Sequence, residues 1–213
     1  MNFLEPLLET YIDKHTGEEP ALLAELARET HAKVLQPRML SGHLQGNLLI
    51  TISKMIRPNA ILEIGTYTGY SGICLAQGLS ESGILHTIDI NDELEKTVRG
   101  YIDESGLKDK IRFYVGNALN IIPTITSKFD IVFIDADKEN YSKYFDLVFD
   151  KVNQGGYIIA DNVLWSGKVL DLNKNKDVDT VEIDKFNKKI QADQRVEKML
   201  LPVRDGLMII RKK

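Results

Sequence analysis

The chain has 213 residues, of which 43% are hydrophobic and 27% are charged, as is ordinary for one globular domain with a sizeable core. Its 27 basic and 31 acidic residues give a formal charge of −4, which excludes a global positive field that would recruit nucleic acid. The single cysteine, Cys74, excludes a disulfide framework and a cysteine metal cluster. These features predict one domain over residues 1–213.

The N-terminal segment favours a cytoplasmic protein that does not enter a membrane. Glu5, Glu9 and Asp13 precede the first basic residue, whereas a secretory signal begins with positive charge. The longest apolar runs are also far shorter than the roughly 20 residues that a membrane-spanning helix needs.

Three amphipathic helices are predicted in residues 1–57, before the first strand. The first has an apolar face and ends at Gly17; the face is formed by Leu4, Leu7, Leu8, Tyr11 and Ile12. A second helix is expected from Pro20 to about Lys33, followed by an irregular stretch from Leu35 to Gly42. The third stops before Pro58 and carries Leu44, Leu48, Ile52, Met55 and Ile56. Their apolar surface suggests a lid over a cofactor or a dimer contact.

Strands and helices alternate from residue 58 onward. Strands are predicted at 60–65, 84–90, 111–115, 129–134, 156–160, about 195–201 and 206–211. Helices are predicted at about 70–80, 92–105, beside Pro123 and at 141–152, with an exposed loop at 173–179. This alternation predicts an α/β fold with a doubly wound, Rossmann-like sheet of seven mostly parallel strands. The short link 202–206 leaves no room for a crossover helix, so the last two strands must be antiparallel.

The turn after the first strand predicts a nucleotide-type site. Residues 61–72 read Ile-Leu-Glu-Ile-Gly-Thr-Tyr-Thr-Gly-Tyr-Ser-Gly, a pattern typical of strand, tight turn and helix. Gly65 and Gly69 allow a sharp turn and close approach of a ligand to the backbone. Tyr67 stands where the dinucleotide fingerprint requires its second glycine, which disfavours a nicotinamide-dependent oxidoreductase.

Two acids near this turn favour S-adenosylmethionine as the nucleotide. Glu63 would repel a pyrophosphate, but it can interact directly or through water with the cationic methionine end of S-adenosylmethionine. Asp89 ends the second strand, where a carboxylate can accept hydrogen bonds from both hydroxyls of a ribose. The alternative is an ordinary structural turn of an α/β domain, because a lone glycine-rich turn is weak evidence.

Oxygen ligands follow the fourth and fifth predicted strands. Asp135, Asp137 and Lys138 follow one strand, and Asp161-Asn162 follow the next. The carboxyl ends of parallel strands meet at the edge of the sheet where ligands bind. Carboxylate and amide oxygens suit Mg²⁺ or a similar divalent ion better than zinc. The alternative is that these acids only cap helices or form surface turns.

Six strings of residues resemble the cation-dependent O-methyltransferases, the catechol and caffeoyl-CoA O-methyltransferase family, in the form of a bacterial member. They are the glycine turn at 62–72, Thr-Ile-Asp at 87–89, Val-Gly-Asn-Ala-Leu at 115–119, Ile-Asp-Ala-Asp-Lys-Glu-Asn-Tyr at 134–141, Ala-Asp-Asn-Val-Leu-Trp-Ser-Gly at 160–167 and Leu-Pro-Val-Arg-Asp-Gly at 201–206. The resemblance covers nearly all of residues 39–211. It implies a class I methyltransferase domain with a catalytic core at 58–213.

The resemblance also implies the roles of individual residues. Asp135, Asp161 and Asn162 would hold a divalent cation, Mg²⁺ in the first place, with Ca²⁺ or Mn²⁺ as alternatives. Residues implied for S-adenosylmethionine are Met39, Ser41, Glu63, Gly65, Thr66, Ser71, Asp89, Ala118 and Asp135. Lys138 would be the general base, and Asp137 and Trp165 would face the substrate. The family further implies a homodimer.

The expected reaction is methyl transfer to a hydroxyl of a catechol-like, phenolic small molecule. A divalent ion that grips two adjacent hydroxyls orients them and lowers the pKa of the reacting one, whose proton Lys138 accepts. Plant members carry an arginine near position 173 that helps to hold a CoA ester; Asn173 argues against such a substrate here.

A tRNA substrate is the alternative within the same chemistry. Some similar bacterial proteins methylate 5-hydroxyuridine in tRNA, and such a substrate would require a basic surface. The candidate basic residues are Lys174, Lys176, Lys185, Lys188, Lys189, Arg211, Lys212 and Lys213.

Overall fold

The computed structural model describes residues 5–213, so Leu4 of the predicted first helix lies outside the described residues. The α-helices are α1 (Pro6–His15), α2 (Ala21–Lys33), α3 (Gly42–Ile56), α4 (Tyr70–Ala76), α5 (Glu95–Glu104), α6 (Ala118–Ile121), α7 (Tyr141–Phe149) and α8 (Val178–Ala192). The strands are β1 (Ala60–Ile64), β2 (Ile84–Asp89), β3 (Ile111–Val115), β4 (Phe129–Ile134), β5 (Val152–Ala160), β6 (Val196–Leu201) and β7 (Leu207–Lys212).

The strands form one seven-stranded sheet in the order β3-β2-β1-β4-β5-β7-β6. Strands β1 to β5 pair in parallel, and β7 runs antiparallel to both β5 and β6. The predicted α/β fold, with a mostly parallel sheet and an antiparallel C-terminal end, is therefore confirmed. The strand order reverses between β1 and β4, and such a switch point leaves a crevice at the carboxyl ends of the strands.

Helices cover both faces of the sheet, and side chains alternate between two cores. In β4, Val132 and Ile134 pack into one core while Ile131 and Phe133 pack into the other. All four side chains are fully buried or nearly so. A central parallel strand with both faces covered must be apolar on both faces, which explains the continuous apolar run Ile131–Ile134 in β4.

Several predicted boundaries are wrong by a few residues. Helix α4 ends at Ala76 rather than near residue 80, because the chain turns at Gly78, where it packs against the α3 backbone at Ser53. Strand β5 starts at Val152 rather than 156, because Val152 already pairs with Phe129, ahead of an irregularity that shifts the register before the pair Tyr157–Ile131.

Two helices also differ from the predicted pattern. The predicted helix at 92–105 begins as a 3-10 turn, Asp92–Leu94, and α7 ends at Phe149 rather than 152. Helix α8 begins inside the predicted loop 173–179 because Asp177 caps it, accepting a hydrogen bond from the Thr180 amide.

The helices before the sheet differ in how closely they pack. Helix α2 buries Leu23, Leu26 and Thr30, and the Thr30 hydroxyl lies 3.2 Å from that of Thr68 in the glycine turn. No residue of α1 is buried. Within residues 5–213, no helix combines the length and the apolar character that crossing a membrane requires.

Candidate active site

A cavity of about 2000 Å³ opens at the carboxyl ends of β1, β2, β4 and β5. Most of the residues predicted for the site line it: Met39, Gly65, Asp89, Ala118, Asp135, Asp137, Lys138, Asp161, Asn162 and Trp165. The other predicted residues are buried and do not line it: Ser41, Glu63, Thr66 and Ser71. The structure thus brings the first group around one cavity and places the second group behind its wall.

The glycine turn is shaped by the close approach of β1 and β4. Gly65 has a φ of +99°, and a Cβ there would lie 2.0 Å from the carbonyl oxygen of Asp135. Its amide donates to the Ile88 carbonyl at 2.9 Å, which fixes the turn against β2. Only glycine fits this position, because any other side chain would push the ends of β1 and β4 apart.

Behind this turn, Glu63 is a fully buried carboxyl group. It accepts hydrogen bonds from the hydroxyls of Ser71 at 2.6 Å and Thr87 at 2.5 Å. Gly72 leaves room for it, since a Cβ at that position would lie 2.6 Å from Oε2 of Glu63. Burial raises the pKa of Glu63 to about 7, helped by the charges of Asp135 and Asp89 and opposed by the two hydroxyls. The side chain therefore titrates near neutral pH.

We expect Glu63→Gln to remove a pH-dependent loss of stability. A carboxyl group with a raised pKa in the folded state binds more protons there, so stability falls as the pH rises from about 4.5 to about 7. The full shift corresponds to about 3 kcal/mol. Urea denaturation without cofactor should find Glu63→Gln gaining up to this amount relative to the unmodified protein between pH 5 and pH 8. Glu81→Gln, at an exposed position, is the control, and parallel pH profiles for Glu63→Gln and the unmodified protein would contradict this account.

At the end of β2, two backbone amides hold the carboxylate of Asp89. Tyr67 N donates to Oδ2 at 2.6 Å and Asn91 N donates to Oδ1 at 2.9 Å. Each carboxylate oxygen keeps a lone pair for a further donor, as two adjacent ligand hydroxyls would supply. Neighbouring Asn117 caps α6 by accepting a hydrogen bond from Leu119 N, and it also lines the cavity.

Asp135, Asp161 and Asn162 follow the paired strands β4 and β5. Asp161 is 2% exposed, and its Oδ1 accepts a hydrogen bond from Asn162 N at 2.6 Å. Burial, followed by the negative charge of Asp135, raises the pKa of Asp161 to about 7.

This donor set fits a hard divalent cation. The carboxylates of Asp135 and Asp161 repel each other, and a cation between them would relieve that repulsion. No group of three or more His, Cys, Asp or Glu side chains suited to a metal occurs among residues 5–213. The family resemblance implies the amide oxygen of Asn162, a residue that lines the cavity, as the third protein ligand.

Lys138 lies beside these acids in a buried position. Its Nζ donates to the Tyr141 hydroxyl at 2.6 Å and to Oδ1 of Asp135 at 3.1 Å, and its side chain is 9% exposed. The Tyr141 hydroxyl in turn donates to the Asp161 carbonyl at 3.0 Å. The amine also lies 5.8 Å from the centroid of the Trp165 ring. Lys138 is thus held at a defined position between the acids and an aromatic wall.

Sequence reasoning missed three residues that support this cluster. Tyr144 donates to Oδ1 of Asp137 at 2.5 Å, and Gln45 donates to Oδ2 of Asp161 at 2.6 Å. Tyr141 stands inside one of the recognised strings, 134–141, which was a signal that it belongs to the site. Gln45 gave no such signal, since it lies far from Asp161 along the chain.

The reversed strand order and the cavity at the switch point define an α/β protein that binds a nucleotide-like cofactor. The chain belongs to the O-methyltransferase family, whose model matches residues 13–213. It is 35% identical over 205 residues to caffeoyl-CoA O-methyltransferase 1 of Arabidopsis thaliana, covering 91% of this chain and 79% of that protein. It is 36% identical over 205 residues to caffeoyl-CoA O-methyltransferase of Petroselinum crispum, covering 91% and 85%.

Solved structures agree with this assignment. The O-methyltransferase of Bacillus cereus in complex with SAH superposes with a TM-score of 0.89 at 30% identity, covering 97% of both chains. The O-methyltransferase TomG of Streptomyces achromogenes in complex with SAM gives a TM-score of 0.89 at 26% identity, covering 97% of this chain and 96% of that one. The protein is therefore an S-adenosylmethionine-dependent O-methyltransferase and not a nicotinamide-dependent oxidoreductase.

Proposed function

We propose that this protein transfers the methyl group of S-adenosylmethionine to a hydroxyl of a catechol-like small molecule, with a divalent cation held by Asp135, Asp161 and Asn162. The observation that carries this proposal is the juxtaposition of two carboxylates, an amide and the Lys138 amine on one wall of the cavity. When bound, such a cation supplies a Lewis acid that orients vicinal hydroxyls and lowers the pKa of the reacting one.

In this proposal the unprotonated form of the Lys138 amine accepts the proton of the reacting hydroxyl and becomes the ammonium ion. The oxygen then forms its bond to the sulfonium methyl carbon while the carbon–sulfur bond breaks, which leaves neutral S-adenosylhomocysteine. The contacts with Tyr141 and Asp135 hold the amine in place. The Trp165 ring, beside the amine, offers a surface on which an aromatic acceptor can lie. Positioning the reactants at near-contact distance can supply on the order of 7 to 11 kcal/mol.

The cofactor would occupy the side of the cavity formed by the glycine turn and the end of β2. Asp89 would accept the ribose hydroxyls, and Met39, Gly65, Ala118 and Asp135 would line the pocket. Behind them, Ser41, Glu63, Thr66 and Ser71 would act through the backbone or through charge. Their burial supports such an indirect role for Glu63, whose carboxylate adds negative charge near the cationic sulfonium.

The charge distribution supports a small molecule over tRNA as the acceptor. Four of the seven lysines proposed for an RNA surface lie beside acids: Lys174 with Asp171, Lys185 with Glu182, Lys188 with Asp184 and Lys189 with Asp146. Arg211 likewise pairs with Glu197. Lys212 and Lys213 donate to backbone carbonyls instead. A surface whose cations are paired offers little net positive charge to a phosphate backbone.

We also propose that residues 1–57 act as a lid or a dimer contact on the core formed by residues 58–213. Ile12 and Asp13 of α1 line the cavity, which supports a lid. Leu7 and Tyr11 of the same helix are 77% and 60% exposed, which supports contact with a second copy in a homodimer.

Methyl transfer with and without metal tests the proposed function. We expect a labelled methyl group to pass from S-adenosylmethionine to a simple 3,4-dihydroxyphenyl acceptor in the presence of Mg²⁺, and to stop with excess chelator. The corresponding CoA thioester should be no better, since Asn173 offers no cation for its phosphates. Transfer that survives the chelator would contradict the metal role. Absence of transfer under both conditions, with cofactor binding confirmed and with tRNA that carries 5-hydroxyuridine accepting the label, would contradict the small-molecule acceptor.

A further inference from the structure

A buried amide on α3 contacts Asp161 from behind the cavity wall. Gln45 is 0% exposed, and its Nε2 donates to Oδ2 of Asp161 at 2.6 Å. Gln45 does not line the cavity, whereas Asp161 does. An acceptor molecule in the cavity would therefore meet Asp161 and not Gln45.

The Gln45 side chain forms its hydrogen bond through the amide nitrogen. Its Oε1 is buried and has no hydrogen-bond partner within the part of the chain that the structure describes. In a buried amide, both the oxygen and the nitrogen usually form hydrogen bonds. In Gln45 only the nitrogen does so, and its acceptor is Asp161, which indicates that the side chain is kept for this contact. The contact with Asp161 also fixes which end of the amide is the nitrogen.

The position of Gln45 is set by tight packing between α3 and α4. At the next residue, Gly46, a Cβ would lie 2.8 Å from the Tyr70 ring and 3.1 Å from Sγ of Cys74. At the start of α3, the Arg204 guanidinium donates to the Ser41 carbonyl. The helix therefore cannot shift easily, and the amide stays beside Asp161.

Two donors consequently orient the Asp161 carboxylate. Gln45 Nε2 holds Oδ2, and Asn162 N holds Oδ1 at 2.6 Å. Each oxygen keeps a lone pair directed elsewhere, and a neutral donor fixes the carboxylate without cancelling its charge. Lys138, which contacts Asp135, instead brings a positive charge.

We infer that Gln45 is a positioning residue that orients the Asp161 carboxylate for divalent-cation binding. This inference rests on the proposed function, because it assigns to Gln45 a part in the same metal site. It links the N-terminal helices to the site through one hydrogen bond between α3 and the end of β5.

Binding of Mn²⁺ to the full-length protein tests the inference without an acceptor molecule. Gln45→Met removes the amide and keeps the length of the side chain. Ser53→Ala is the matched control, because Ser53 is also buried on α3 and donates to the Leu75 carbonyl at 2.6 Å. Loss of a residue that orients a metal ligand typically costs 10-fold to 100-fold in affinity. Electron paramagnetic resonance titration should show Mn²⁺ affinity at least about 10-fold weaker in Gln45→Met and unchanged in Ser53→Ala.

The affinity for S-adenosylhomocysteine, measured by calorimetry, should remain within about 2-fold in both variants, which separates a positioning role from general damage. Gln45→Leu replaces Gln45→Met if the latter does not fold. Equal Mn²⁺ affinity in the unmodified protein and the Gln45 variant would overturn the inference and leave the proposed function standing. Failure of the unmodified protein to bind Mn²⁺ would overturn both.

Discussion

Asp161→Asn is expected to reduce methyl transfer by about 10³-fold or more while leaving the fold intact. The change removes one of the two carboxylates proposed to hold the cation, and the lost charge stabilisation is several kcal/mol. Asparagine has nearly the same shape: its oxygen can accept from Asn162 N, and its amide nitrogen can donate to Oε1 of Gln45 once the Gln45 amide turns over. Because burial and Asp135 oppose the charge of Asp161, the neutral variant should unfold at the same or a higher temperature.

Binding of S-adenosylhomocysteine separates this prediction from simple damage to the cofactor site. Calorimetry should give an affinity within about 3-fold of the unmodified protein, since the proposed function places Asp161 at the cation and acceptor and not at the cofactor. Asp146→Asn is the control, because Asp146 is an exposed acid that pairs with Lys189. A collapse of cofactor affinity, or transfer that persists at the unmodified rate, would show that Asp161 is assigned wrongly.

Lys138→Met should lower the turnover number by about 10²-fold to 10⁴-fold, the usual contribution of a general base. Methionine fills the buried volume of the lysine stem but cannot accept a proton. Removing a cation next to Asp135 should leave Mn²⁺ affinity equal or higher, because the contact of 3.1 Å between the amine and the carboxylate disappears. Turnover and Mn²⁺ titration on the same preparation measure both effects.

Lys143→Met serves as the control for this change. Lys143 lies on α7, close to Lys138 in sequence, and its amine contacts the Asn140 side chain at the surface. Its replacement should leave turnover within about 2-fold. If Lys138→Met retained full turnover, or lost it only through a weaker affinity for Mn²⁺, the proposed proton transfer would have to be assigned to another group.

The fold could be predicted largely because its central strands have few alternatives. The run Ile131–Ile134 is apolar throughout, and only a strand covered on both faces accommodates it. The N-terminal part of β5 was harder to predict, because Gln154, Gly155 and Gly156 have the composition of a turn and form a bulge in the structure. Helix α8 was harder to predict from the sequence because charged residues are interspersed along it. Its buried face is formed by Ile183, Phe186 and Ile190.

The candidate site could be predicted where the chemistry follows directly from strand ends. Asp89 ends a parallel strand, and Asp135 and Asp161 each follow one, so topology alone places them at one edge of the sheet. Contacts from buried residues that do not line the cavity could not be predicted in this way. The orientation of Glu63 depends on the packing of β1 against β2 and α4, and the contact of Gln45 with Asp161 depends on the packing of α3; no local pattern encodes either.

Anomalous diffraction from a crystal grown with Mn²⁺ and S-adenosylhomocysteine tests the central claim most directly. The account predicts an anomalous peak within about 2.0–2.6 Å of carboxylate oxygens of Asp135 and Asp161 and of the amide oxygen of Asn162, as hard cations require. It also predicts remaining coordination positions open toward Lys138 and Trp165. Density for S-adenosylhomocysteine with no anomalous peak between these residues, or with a peak only at surface acids, would contradict it.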